Sequence, residues 1–273
     1  FYEKLWNMES ATYGSARGTE NDPFIIPVVF HVIHDNGIGN IPYEQIVSAV
    51  EVLNEDFRRM NSDTGNTRDV FKPFAVDSEV EFRLAKIDPD GNCTNGVVRV
   101  NSPNFTYNVR NQVKTQSYWP SHRYLNVWVV NSIENFSGGG GIVLGYAQFP
   151  GGNWDTYGIV NRHDRLGKLG VGTSVSDGRT LTHEVGHCLN LLHTFQSGCG
   201  SNCSSSGDRV CDTPPSDFAT YGCSQGQNTC SNDDSGSGSP FSTDVVDQIE
   251  NYMSYDDCQN MFSAGQRDRM HAV

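Results

Sequence analysis

Residues 24–34, FIIPVVFHVIH, form an unbroken run of β-branched and aromatic side chains, the pattern of a strand buried on both faces. Directly after it the period changes. In IPYEQIVSAVEVLNEDFRRMN, Ile46, Val50, Leu53 and Phe57 recur at three- and four-residue spacing, which gathers them on one stripe of an α-helix. Pro42 suits the first turn of that helix. Shorter runs of strand-forming residues predict further strands at 79–87, 96–101, 124–133, 144–150 and 158–164. Together they describe a mixed sheet with helices on it. GRTLTHEVGHCLNLLH then sets Leu181, Val185, Cys188 and Leu189 on or near one helical stripe. SAGQRDRMHAV predicts a closing helix with Ser263 as its cap.

From about residue 194 the periodicity fades into Gly, Ser, Asn, Asp and Cys, with the low-complexity loop SNDDSGSGSP at 231–240. This half is expected to hold its shape through disulfides and ions rather than a large core. Five of the eight cysteines fall between 199 and 230, which favours disulfides and an oxidising, extracellular compartment. A cysteine zinc cluster is the weaker alternative, since C-x-x-C is absent and only C-x3-C occurs, at 199 and 203. The net charge is −13, and 199–258 carries −9 of it, nine Asp and one Glu against Arg209 alone. Such a surface repels phosphate backbones and excludes nucleic acid as a partner. Nothing approaches the roughly 20 apolar residues of a membrane span, so no membrane insertion is expected. The start, FYEKLWNMES, lacks a signal-peptide profile, so any targeting segment is expected to have been removed.

Chemistry concentrates in HEVGHCLNLLH, residues 183–193. Residues four apart on a helix project from one face, so His183 and His187 can present nitrogens to one zinc ion. Glu184, next to the first ligand, is placed to take a proton from attacking water. His193 lies too far along a straight helix to join them, so the chain must turn after His187. Asn190 stands where a glycine would normally make that turn, and Asn tolerates the left-handed region best of the other residues. By composition the H-E-x-x-H-x5-H pattern arises in roughly 3 of 10,000 such chains. The isolated His31, His34, His122, His163 and His271 are read as structural.

With NYMSY at 251–255, this motif resembles the metzincin metallopeptidases, whose long zinc motif is joined by a Met-containing turn. Met253 matches that methionine, and Tyr255 resembles the tyrosine that some metzincins place near the metal. IPVVFHVIHDNGIGNIPYEQIVSAVEVLNEDFRRMN, HEVGHCLNLLHTF, GDRVCDTPPSD, GC at 222–223 and NYMSYDDCQNMFSAGQRDRM narrow the resemblance to the pappalysin family. It implies an α+β fold: an upper lobe with twisted mixed sheet, backing helix and active-site helix, above an irregular lower lobe with a C-terminal helix and a cleft between. The corresponding division is an irregular segment 1–22, an upper lobe 23–193 and a lower lobe 194–273. Substrate would extend along the edge strand near VLGYAQFP by strand addition, with GGGG at 138–141 as a rim. The resemblance also pairs Cys203 with Cys230 and Cys223 with Cys258. Proximity then suggests Cys199 with Cys211, leaving Cys93 and Cys188 unassigned.

In SGDRVCDTPPSD, Asp208, Asp212, Thr213 and Asp217 offer the hard oxygens that calcium prefers. The alternative is a set of solvent-facing turn residues. In YDDC, Asp256 and Asp257 lie where the S1′ pocket of metzincins begins, and a carboxylate there favours Arg over Lys. Of the two, Asp257 is the preferred candidate. The expected protein is a secreted, monomeric zinc endopeptidase using Zn2+ and Ca2+, acting on protein and peptide substrates and cutting before Arg. The irregular start contains such a bond, Ala16–Arg17, an expected autolysis site. The rival readings are an inactive zinc- and calcium-stabilised binding module and a hydrolase of non-peptide amides. Glu184 argues against the first and the edge strand against the second.

Overall fold

Strand β1 (Phe24–His34) carries the run of β-branched residues into the middle of the sheet; Phe24 and Ile25 stay exposed, and from Val28 onward every residue is buried. The structure, a computed structural model, describes residues 22–107, 110–134, 141–172, 177–234 and 238–273. β2 (Val80–Leu84), β4 (Leu125–Val130), β6 (Ile159–Arg162) and β5 (Gly145–Ala147) join β1 in the order β2-β1-β4-β6-β5, while β3 (Val97–Asn101) pairs with the second half of β1. All pairings are parallel except β5 with β6. Parallel neighbours require crossovers, and α1 (Tyr43–Phe57) lies in the one between β1 and β2. Ile46, Val50, Leu53 and Phe57 are buried, the stripe that the spacing predicts. Each such side chain contributes about 1.5–3 kcal/mol by leaving water. β5 forms a sheet edge, and it lies within VLGYAQFP, residues 143–150.

The chain divides into two compact units. One contains Arg17–Glu55, described from residue 22, and Val80–Cys188; the other contains Asp56–Glu79 and Leu189–Val273. In the first, His31 is fully buried between Ser117 Oγ at 2.7 Å and Asn126 Oδ1 at 2.9 Å, stacked on Trp128. Burial lowers its pKa from 6.5 to about 4, with the Asn126 bond acting the other way. The unfolded chain therefore binds the extra proton between these values. The stability tied to neutral His31 is complete above pH 6.5 and is lost as pH falls toward about 4, by roughly 3 kcal/mol. Urea titrations from pH 7 to 4 are expected to show a weaker pH dependence in His31→Gln than in wild type. Equal dependence would assign the acid sensitivity to other groups.

The second unit has a core that the composition after residue 194 does not foretell. Segment 56–79 supplies it: Phe57 packs on Phe262 at 4.7 Å, Phe262 on Tyr252 at 4.8 Å, and Phe71 and Phe74 join Phe241 and Met261. Arg68 grips buried Glu250 through two nitrogens and also donates to the carbonyls of Gln225 and Asp247. The disulfide assignment needs correction. Cys223–Cys258 is present as the resemblance implies, but Cys199 is bonded to Cys230 and Cys203 to Cys211. The turn at Asn202–Ser206, closed by two backbone bonds to the Asn202 carbonyl, folds the chain back on itself. Cys203 and Cys211 then stand 4.8 Å apart at Cα, within bridging reach. Cys93 and Cys188 are free thiols, exposed and buried respectively.

Candidate active site

Helix α2 (Arg179–Cys188) is buried from Leu181 to its end, including both histidines and the glutamate between them. Its first turn is held by the Asp177 carboxylate, which accepts from the Arg179 N–H at 3.0 Å. The rings of His183 and His187 meet edge to face, 4.8 Å apart, and Phe149 lies 5.0 Å from the His187 ring. The helix stops one residue after His187. Tyr157 Oη donates to the Cys188 carbonyl at 2.5 Å, and Asn190 adopts φ +68°, the left-handed turn expected of it. The chain thereby swings His193 round, and one ligand nitrogen from each of His183, His187 and His193 lies within 4.8 Å of the others. Among the described residues this is the group of three or more His, Cys, Asp or Glu side chains able to hold a metal. Three neutral imidazoles suit zinc and leave a coordination position open, as catalytic sites do.

Glu184 is buried, and burial raises its carboxyl to about 8. The first residue of β5 makes room for it. A Cβ on Gly145 would lie 2.9 Å from Glu184 Cγ and 3.2 Å from its Oε1. Sequence reading missed this glycine, whose one signal is a lone Gly opening a strand. Gly145→Val is expected to keep metal content while lowering turnover by roughly 100-fold, the scale of a 1 Å displacement of a catalytic group. Turnover within threefold of wild type would show that Glu184 does not need the clearance.

His193 stacks on Phe195 at 4.6 Å and meets the Tyr255 ring edge-on at 5.0 Å. Met253 is fully buried; its carbonyl accepts from Thr194 N–H and its N–H donates to Asn251 Oδ1. The turn holding Met253 and Tyr255 is thus tied to the chain just after His193. Of the two acidic pocket candidates, Asp257 is exposed and Asp256 is buried. Asp256 Oδ2 accepts from Thr220 Oγ1 and Ser254 Oγ, both at 2.7 Å, while its Oδ1 has no hydrogen-bond partner among the described residues.

The four calcium candidates have different surroundings. Asp208 is buried; it accepts from Thr213 Oγ1 at 2.6 Å and from the Val210 N–H, and burial raises its carboxyl to about 7. Asp212 instead accepts from Ser263 Oγ and the Gly265 N–H at the start of the C-terminal helix. Asp217 is exposed. A cavity of about 20 Å³, room for one water or ion, is lined by Asp208, Thr213 and, unforeseen from sequence, Asp233. Asp233 is also buried, and its Oδ1 has no hydrogen-bond partner among the described residues.

Comparison with known proteins decides the family. A family model described as Pregnancy-associated plasma protein-A, Peptidase_M43, matches residues 108–273. The chain belongs to the pappalysin family of metalloproteases. This pappalysin is 30% identical over 261 residues to an extracellular metalloprotease of Verticillium alfalfae, covering 92% of this chain and 78% of that protein. It is 29% identical over 280 residues to one of Arthroderma benhamiae, covering 99% and 79%. The structure of Tannerella forsythia mature mirolysin in complex with a cleaved peptide superposes with a TM-score of 0.75 at 34% identity, covering 92% of this chain and 91% of that one. The α+β fold with its mixed sheet matches mirolysin.

Proposed function

We propose that this metalloprotease is a secreted zinc endopeptidase that cuts extended peptides before Arg. The observation that carries the reading is the convergence of His183, His187 and His193 beside buried Glu184. The extracellular relatives and the three disulfides support secretion. Mirolysin's complex with a cleaved peptide supports a peptide substrate. Cleavage of a peptide library, followed by mass spectrometry, is the test. Zinc-loaded protein is expected to cut, chelated protein to stop, and re-addition of zinc to restore cutting. No cleavage by folded, zinc-loaded protein would overturn the reading.

Zinc held by the three imidazoles supplies Lewis acidity toward the scissile carbonyl and toward water. Glu184 accepts the proton of the attacking water on its carboxylate and later delivers it to the leaving amine. Burial alone opposes the ionised form of Glu184, and a cation beside it favours that form. Tyr255, next to His193, is the donor we assign to the developing oxyanion. We place an extended substrate alongside β5, the strand at the end of the sheet order, held by main-chain hydrogen bonds. The GGGG rim lies largely outside the described residues, as does the expected autolysis bond Ala16–Arg17.

Calcium is assigned to the cavity of Asp208, Thr213 and Asp233, since a cation there relieves the cost of burying two carboxylates. The hydrogen bonds made by Asp212 support a role at the helix start. A calcium-selective chelator is expected to lower the melting temperature by roughly 5–10 °C. An unchanged melting curve with zinc content verified would remove calcium from the account.

A further inference from the structure

The C-terminal helix α3 (Ala264–Met270) is anchored at its start more firmly than its seven residues require. Ser263 and Gln266 form a reciprocal capping box, Asp212 accepts from Ser263 Oγ and the Gly265 N–H, and Gln266 exchanges side-chain hydrogen bonds with Asn251. Asn251 in turn accepts from the Met253 N–H. From the last turn of this fixed helix Arg269 reaches out, and its Nε–H donates at 2.6 Å to the carbonyl of Asn190. Asn190 is the residue at φ +68° on which the chain reverses between His187 and His193. A β-carbon in the left-handed region costs energy, and a lone asparagine there needs support from its surroundings. The guanidinium is partly buried, which disfavours its charge, and the negative charge of Asp208 acts the other way.

We propose that Arg269 is a positioning residue for the metal site: its bond to the Asn190 carbonyl holds the turn that delivers His193. A charge-assisted hydrogen bond from a clamped helix sets the direction of the Asn190–Leu191 peptide, and the path to His193 follows from it. The inference rests on the three histidines being the zinc ligands.

The test measures zinc affinity of metal-free protein by competition with a chelator, together with the visible spectrum of the cobalt-substituted protein. Arg269→Met, which keeps the bulk of the side chain and removes the donor, is expected to weaken zinc binding by roughly 10- to 100-fold and to change the cobalt bands. Arg269→Lys, which retains a donor of shorter reach, is expected to lose less. The deciding arm is Asn190→Gly, since glycine adopts the turn without a β-carbon. In the Asn190→Gly background, Arg269→Met is expected to cost less than threefold. A similar loss in both backgrounds, or wild-type zinc affinity in Arg269→Met, overturns the proposal. If Arg269→Met does not fold, the same comparison is made with Arg269→Lys, and an equal loss in the two backgrounds again overturns it. His193→Ala separates the two levels of inference. Unchanged zinc affinity in His193→Ala would remove the ligand assignment itself, whereas weakened binding there beside wild-type binding in Arg269→Met removes only the role of Arg269.

Discussion

Glu184→Ala is expected to retain its zinc and to hydrolyse peptides about 100- to 10,000-fold more slowly than wild type, the range that a positioned general base contributes. The variant removes the group that takes the proton and leaves the three imidazoles of His183, His187 and His193 in place. Helix α2 should survive the change, because alanine is the best helix former and the rest of the helix stays buried. Metal analysis and turnover on the same sample give the result. More than a few per cent of wild-type turnover would end the assignment of Glu184 as base. Loss of zinc together with activity would instead make the carboxylate part of the metal's own ligand set. Since Glu184 packs in the space that the missing Cβ of Gly145 leaves, Glu184→Gln provides a control that preserves volume.

The second large effect concerns the residue after the cut. Asp256→Asn is expected to reduce the preference for Arg over neutral residues by roughly 10- to 100-fold, the worth of a hydrogen bond to a charged group. Thr220 and Ser254 occupy one oxygen of Asp256, the other is buried without a hydrogen-bond partner among the described residues, and the carboxylate is held on a turn tied down by the Cys223–Cys258 bond and by Asp257 N–H donating to the Gly222 carbonyl at 2.7 Å. A guanidinium satisfies such an oxygen, and a neutral side chain leaves it stranded. Asp257→Asn should change the preference by less than threefold, because its exposed carboxylate is already hydrated. Library cleavage maps for both variants and wild type decide the matter. An unaltered Arg preference in Asp256→Asn would place the carboxylate elsewhere, and absence of Arg enrichment in wild type would dispense with the pocket.

The zinc motif was legible because it is local. Four-residue spacing on a helix puts His183 and His187 on one face whatever surrounds them, and the tolerance of Asn190 for positive φ is a property of its own backbone. The strands, the stripe Ile46–Phe57 and the Ser263 cap were legible for the same reason: period and capping are carried by neighbours in sequence. What the sequence left open depends on which distant groups meet. Asp256 and Asp257 are chemically alike until the turn buries one and exposes the other. Cysteine partners follow from Cα distances set by the turn at Asn202–Ser206, which spacing alone does not contain. Phe57, Phe71 and Phe74 join the aromatic residues near the C-terminus only after folding, as Arg68 joins Glu250. Gly145 reads as an ordinary strand glycine until Glu184 is placed against it, and Arg269 as a solvated helix cation until its donor finds the Asn190 carbonyl. Periodicity and torsional preference act within a few residues, so sequence determines them; burial and partner choice are long-range, and only the tertiary structure decides them.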